Sequence, residues 1–160
     1  AAQRAEELAA LEAVLHARRT DPRLGDWLAA AEPPDAAGAA QLRLIRRSYA
    51  RNVKVPADLA AEIARVTSLS QGIWAEARAD RDFKAFAPTL ERVLEMRRQE
   101  ADALSDGGDR YNALLEDYEP GMTGAELAGL FDALRPRLVA LRDRILGAER
   151  PAPRLQGRFD

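Results

Sequence analysis

The sequence predicts an all-α protein, a bundle-like array of about six helices. Three observations carry this. Apolar residues recur at three- and four-residue intervals along most of the chain, and no stretch alternates with the period of a strand. The breaks between periodic stretches hold helix-start and helix-stop residues. Aromatic residues are only 6% of the 160, and much of the apolar content is alanine, so the core is expected to be thin.

The first helix spans residues 2–19, with Leu8, Leu11, Leu15 and Arg18 on one face. Thr20-Asp21-Pro22 is a fresh start: a capping side chain, then proline near the first helical position. The short second helix carries Leu24, Trp27 and Leu28, and Glu32-Pro33-Pro34-Asp35 breaks it. Asp35 caps a third helix that runs to about Asn52, with Leu42, Ile45 and Tyr49 on its apolar face. Val55-Pro56 opens the fourth, whose Leu59, Ile63, Val66, Ser70, Ile73 and Ala77 form a bundle seam. Asp82-Phe83-Lys84-Ala85-Phe86 is a bend leading to Pro88, taken as the start of a fifth helix. That helix buries Leu90, Val93 or Leu94, Ala101 and Leu104, and ends in Ser105-Asp106-Gly107-Gly108-Asp109.

A short apolar turn, Tyr111 to Leu115, and a loop at Tyr118-Glu119-Pro120-Gly121 follow, with Pro-Gly at the centre of a type II turn. Thr123 and Glu126 form a capping box for the last helix, which carries Leu127, Leu130, Phe131, Leu134, Leu138, Leu141 and Ile145. Pro136 is expected to kink it and Gly147 to stop it. Residues 1–147 form the helical region, and 148–160, with Arg150-Pro151-Ala152-Pro153, look like a linker.

Composition removes several function classes. The chain has no cysteine, which excludes disulfides, thiol nucleophiles and cysteine-ligated metals and is compatible with a reducing compartment. With one histidine, His16, a two-histidine zinc site is impossible within this stretch. The 24 basic residues against 26 acidic ones argue against a nucleic-acid partner. No apolar run is long enough for a membrane span, and the charged Arg4, Glu6 and Glu7 do not suit a signal peptide. The sequence starts without methionine and resembles a piece of something longer, or a processed product.

Several constellations have both a functional and a structural explanation. Lone His16 has no second ligand or nucleophile to join, so a structural role is expected. Arg43, Arg46, Arg47, Arg51 and Lys54 form a basic stripe, suited to phosphate or an acidic partner but more simply a solvated face. Glu91, Glu95, Glu100 and Asp102 alternate with Arg92, Arg97 and Arg98 as exposed ion pairs. Arg78 and Asp82, four apart before a break, suggest an arginine–carboxylate clamp that fixes the bend. Tyr118 and Glu119 are either site-lining residues or a packed corner.

Three runs are similar to the N-terminal helical region of the Taq-type, or thermostable, zinc metallocarboxypeptidases. They are Trp74-x-Glu76-Ala77-Arg78-x-x-x-Asp82-Phe83-x-x-Phe86-x-Pro88-x-Leu90, the segment Tyr111 to Thr123, and Phe131-Asp132-x-Leu134-Arg135-Pro136-x-Leu138-Val139-x-Leu141. Asn112 and Glu116 depart from it, standing where aspartates are expected. The similarity runs from the first helix to Phe159. The family's His-Glu-x-x-His metal helix is absent here, so no catalytic or metal residue can be carried over. The resemblance implies a helical wall of a substrate groove within a larger zincin-type fold. It also implies that a catalytic region with a divalent metal, zinc, lies beyond this stretch and cleaves C-terminal residues from peptides with broad specificity. Arg78, Asp82, Tyr118 and Glu119 become groove or clamp candidates. The expected setting is cytoplasmic, without membrane, in a homo-oligomer, and the stretch alone is expected to be inactive. The alternative is a non-catalytic helical protein-interaction module.

Overall fold

The computed structural model describes residues 2–148. It is helical, with α1 (Ala2–Arg19), α2 (Pro22–Ala30), α3 (Ala36–Asn52), α4 (Ala57–Ala79), α5 (Phe83–Ser105), α6 (Arg110–Leu115) and α7 (Gly124–Leu146). The segment expected as an apolar turn is the six-residue α6. Residues 149–160, including the Arg150–Pro153 part of the linker, lie outside the described residues.

Capping chemistry sets most boundaries. The Asp21 carboxylate accepts from the Arg23 N–H at 3.0 Å ahead of Pro22, and Asp35 accepts from the Gly38 N–H at 2.7 Å. Thr123 and Glu126 make the reciprocal box, with the Glu126 carboxylate 2.8 Å from the Thr123 N–H. That backbone bond, followed by the hydroxyl, lowers the Glu126 pKa. The fifth helix departs from expectation. Asp82, not the neighbourhood of Pro88, is its N-cap, so α5 begins at Phe83 and holds Pro88 inside it. α7 likewise runs through Pro136 to Gly147, whose N–H reaches the Asp143 carbonyl.

The Asp21 site gives a measurable consequence. The Arg23 side chain, then its backbone N–H, draw the Asp21 carboxyl from its ordinary 3.8 down to about 2. A depressed carboxylate stabilises the folded form above the ordinary value, and that contribution is lost as pH falls through the folded pKa. Carboxyl NMR titration is expected to place the Asp21 midpoint at about 2, and Arg23→Ala to move it upward. An ordinary midpoint in the unsubstituted chain would contradict this geometry.

The chain divides into two compact units, Ala1–Leu114 and Leu115–Asp160. In the first, α4 is central: α1 packs on one side and α5 on another, while α2 pairs with α3 and α3 touches α1. Being flanked twice, α4 is half-buried at every position from 61 to 70. The buried apolar residues are Ala5, Ala9, Ala77, Met96, Ala101 and Leu104. α1 therefore presents alanines to α4, and Leu8, Leu11 and Leu15 of the expected seam are exposed. On α5, half-buried Val93 rather than exposed Leu94 faces inward. An ion-pair relay ties the three helices in register: Glu6 to Arg65 at 2.8 Å, Arg65 to Glu62, Glu62 to Arg92 at 3.4 Å, and Arg92 to Glu95 at 2.6 Å.

Three members of the basic stripe staple helix ends. Arg46 donates to the Leu28 carbonyl (2.6 and 3.0 Å) at the end of α2, and Lys54 to the Leu104 carbonyl (3.3 Å) at the end of α5. Arg51 donates to the Ala113 carbonyl in α6 at 3.1 Å. The last carbonyls of a helix lack intrahelical partners and carry the negative end of its dipole, so cations belong there. These carbonyl contacts give the three a structural role in place of a phosphate site, while Arg46 and Lys54 remain on the exposed face and Arg51 is half-buried. Gly25 serves the same packing: a Cβ there would stand 2.9 Å from the Tyr49 hydroxyl, so its absence lets α3 close on α2.

In the second unit, α7 has no buried residue and displays Leu130, Phe131, Leu134, Leu138, Leu141 and Ile145. Among the described residues no helix is long and apolar enough to cross a membrane.

Candidate functional site

The α4–α5 corner is built from the end of one helix and the cap of the next. α4 ends in a Schellman arrangement: the Asp82 N–H bonds the Ala77 carbonyl at 2.8 Å and the Arg81 N–H bonds the Arg78 carbonyl at 3.3 Å. This turn needs a left-handed residue, usually glycine, yet the position is Arg81 with φ +56°. Holding a side-chain-bearing residue there costs about 1–2 kcal/mol. Asp82 then turns into α5, its Oδ1 accepting the Ala85 N–H at 3.2 Å.

The side chains around this turn enclose an open hollow of about 270 Å³ lined by Trp74, Arg78, Arg81, Asp82, Phe83 and Phe86. The Arg78 guanidinium lies over the Trp74 ring, 5.4 Å from its centroid, at cation–π distance. Trp74 is 45% and Phe83 68% exposed. Arg78 and Asp82 thus meet in one place, but not as the expected ion pair. Asp82 lies beyond the end of α4, where the reversal at Arg81 removes the four-residue helical register, so Arg78 stacks and Asp82 caps.

Tyr118 and Glu119 lie in the second unit, in the turn before α7. The Met122 N–H donates to the Glu119 carbonyl at 3.1 Å with Gly121 at φ +82°, so Pro120-Gly121 forms the expected type II turn. The Glu116 carboxylate accepts the Gly121 N–H at 2.8 Å and braces it. Tyr118 and Glu119 are both exposed there.

Arg81, Phe83 and Phe86 were not among the sequence candidates. A non-glycine residue at a helix-stop position, flanked by aromatics, was the available signal.

The single imidazole is engaged: His16 Nε2 lies 2.7 Å from the Val55 carbonyl, an acceptor only, so that nitrogen carries the proton and joins α1 to the α3–α4 connection. Among the described residues no three His, Cys, Asp or Glu side chains converge as a metal site would require.

A family model described as carboxypeptidase Taq (M32) metallopeptidase matches residues 1–160. Thermostable carboxypeptidase 1 of Thermus thermophilus is 40% identical over an alignment of 160 positions, covering 91% of this chain and 31% of that protein. Thermostable carboxypeptidase 1 of Pyrococcus furiosus is 32% identical over 105, covering 66% of this chain and 21% of its own length. Two solved structures share the fold. "The Structure of CHT" superposes with a TM-score of 0.73 at 33% identity, covering 91% of this chain and 30% of that one. "BsuCP Crystal Structure" superposes at 0.78 and 23% identity, covering 92% and 30%. The match spans between about a fifth and a third of the length of these relatives.

Proposed function

Because this chain belongs to the carboxypeptidase Taq (M32) metallopeptidase family, we propose that it is the N-terminal helical region of a zinc-dependent carboxypeptidase. The whole enzyme removes C-terminal residues from peptides with broad specificity, in the cytoplasm, as a homo-oligomer. The observation that carries this reading is the family match along all 160 residues, with 40% identity to a thermostable carboxypeptidase. In this reading the metal and the water-activating carboxylate come from a catalytic region outside this stretch. The helices here wall the substrate groove, with Arg78, Asp82, Tyr118 and Glu119 as its candidate contacts. The exposed leucine stripe of α1 and the apolar face of α7 support a scaffold that is covered in a larger assembly.

The test compares two polypeptides. The 160-residue chain, supplied with zinc or cobalt, is expected to release no amino acid from N-blocked dipeptides and to take up no stoichiometric metal. Joined to the remainder of its reading frame, it is expected to cleave them and to lose that activity to a chelator. Activity or tight metal binding by the chain alone would refute the division of labour. A reading frame without a metal-binding helix would instead favour a non-catalytic interaction module.

A further inference from the structure

We propose that the hollow at the α4–α5 corner binds a free α-amino acid with a large apolar side chain. The groups around it are complementary to such a molecule in three respects. Trp74, Phe83 and Phe86 supply an aromatic wall, part of it open to water at a standing cost that an apolar side chain would relieve. Arg78 and Arg81 supply two guanidiniums for a carboxylate. Neither has a carboxylate partner among the described residues, unlike Arg65, Arg92 and Arg97 on the same two helices, though Arg98 of α5 is unpaired there too. Asp82 supplies the opposite charge: Oδ1 holds the α5 cap, and Oδ2 accepts no hydrogen bond among the described residues, so it is available to an ammonium.

Size narrows the class. About 270 Å³ lies just below the roughly 300–1,000 Å³ of ordinary small-molecule sites, room for one residue rather than a peptide. A plain anion such as phosphate would leave the aromatic wall and Asp82 unused. A mid-chain peptide residue would lack both charges. Arg81 adds a conformational argument, because glycine would satisfy the turn without strain and would not bring a cation to the hollow. If the reading above holds, the ligand belongs to the class of compound that a carboxypeptidase releases. The binding itself needs neither metal nor catalysis, so it stands or falls separately.

The experiment titrates Trp74 fluorescence in a Trp27→Phe background, which leaves one reporting indole. L-phenylalanine is expected to give a saturable change. N-acetyl-L-phenylalanine, without the ammonium, and L-phenylalanine amide, without the carboxylate, are each expected to bind at least about tenfold more weakly. Arg81→Gly relieves the left-handed strain while deleting the cation, so helical circular dichroism is retained and affinity falls at least about tenfold. The absence of a saturable response to L-phenylalanine would overturn the proposal. So would equal binding of all three ligands, displacement by inorganic phosphate at equal concentration, or unchanged affinity in Arg81→Gly.

Discussion

Replacing Met96 by alanine is expected to destabilise the first unit by about 2–5 kcal/mol. Met96 is 4% exposed on α5 and lines the α4–α5 contact beside Leu59. Four of the six buried apolar residues are alanines, so Met96 and Leu104 supply most of the buried side-chain volume beyond a methyl group. Burying a methionine contributes about 1.5–3 kcal/mol, and the cavity left by alanine adds to the loss. Against a net stability of about 5–15 kcal/mol, that is a large fraction. Urea unfolding is the measurement: the midpoint should fall with the slope unchanged. Met96→Leu keeps the volume and should cost less than about 1.5 kcal/mol. If Met96→Ala shifts the midpoint no more than Leu94→Ala, at an exposed position, Met96 is not the core residue described.

Met96 also marks where the sequence was hard to interpret. Periodicity located every long helix, because three- and four-residue spacing is a property of the helix itself. It located the face less well, since a half-turn of error exchanges Val93 and Met96 for Leu94. Caps at Asp21, Asp35 and Thr123 were legible because donor and acceptor lie within three residues of one another. At Asp82 the equally local cap was masked by Pro88, a residue more often found at a helix start. The destinations of Arg46, Arg51 and Lys54 were not legible at all. Their carbonyl partners are 18, 62 and 50 residues away, and only the folded chain brings them together.

The candidate site divides along the same line. The Pro120-Gly121 turn is local and was predicted correctly. At the other corner, Arg78 and Asp82 were rightly placed together, but the link between them was inferred from a helical spacing that ends at Ala79. Arg81 was missed because its importance comes from its backbone conformation rather than from a charge pattern.

The other large effect concerns the packing face of α1, which centres on alanines about a quarter-turn from the expected leucine stripe, so that the leucines border the α1–α4 groove instead of filling the contact. Ala5 and Ala9 are 0% and 3% exposed against α4, whereas Leu11 is 65% exposed. Helices that meet on alanine approach closely, and a larger side chain must push them apart. Ala9→Leu is therefore expected to cost about 1–3 kcal/mol through overpacking, even though it adds apolar surface. It should also loosen the Glu6–Arg65 link one turn away. Leu11→Gln, which alters the more conspicuous residue, should stay within about 0.5 kcal/mol of the parent. The pair of substitutions also separates this chain from a whole enzyme. If the proposed catalytic region covers the leucine stripe, Leu11→Gln becomes destabilising in the proposed full-length protein, by about 1.5–3 kcal/mol for a fully buried side chain. Ala9→Leu should cost the same in both, because its neighbour α4 is already present. Denaturant midpoints for the four proteins decide the matter. A Leu11→Gln cost in the 160-residue chain would contradict the exposed face. Neutrality in the full-length enzyme would show that the stripe remains uncovered there.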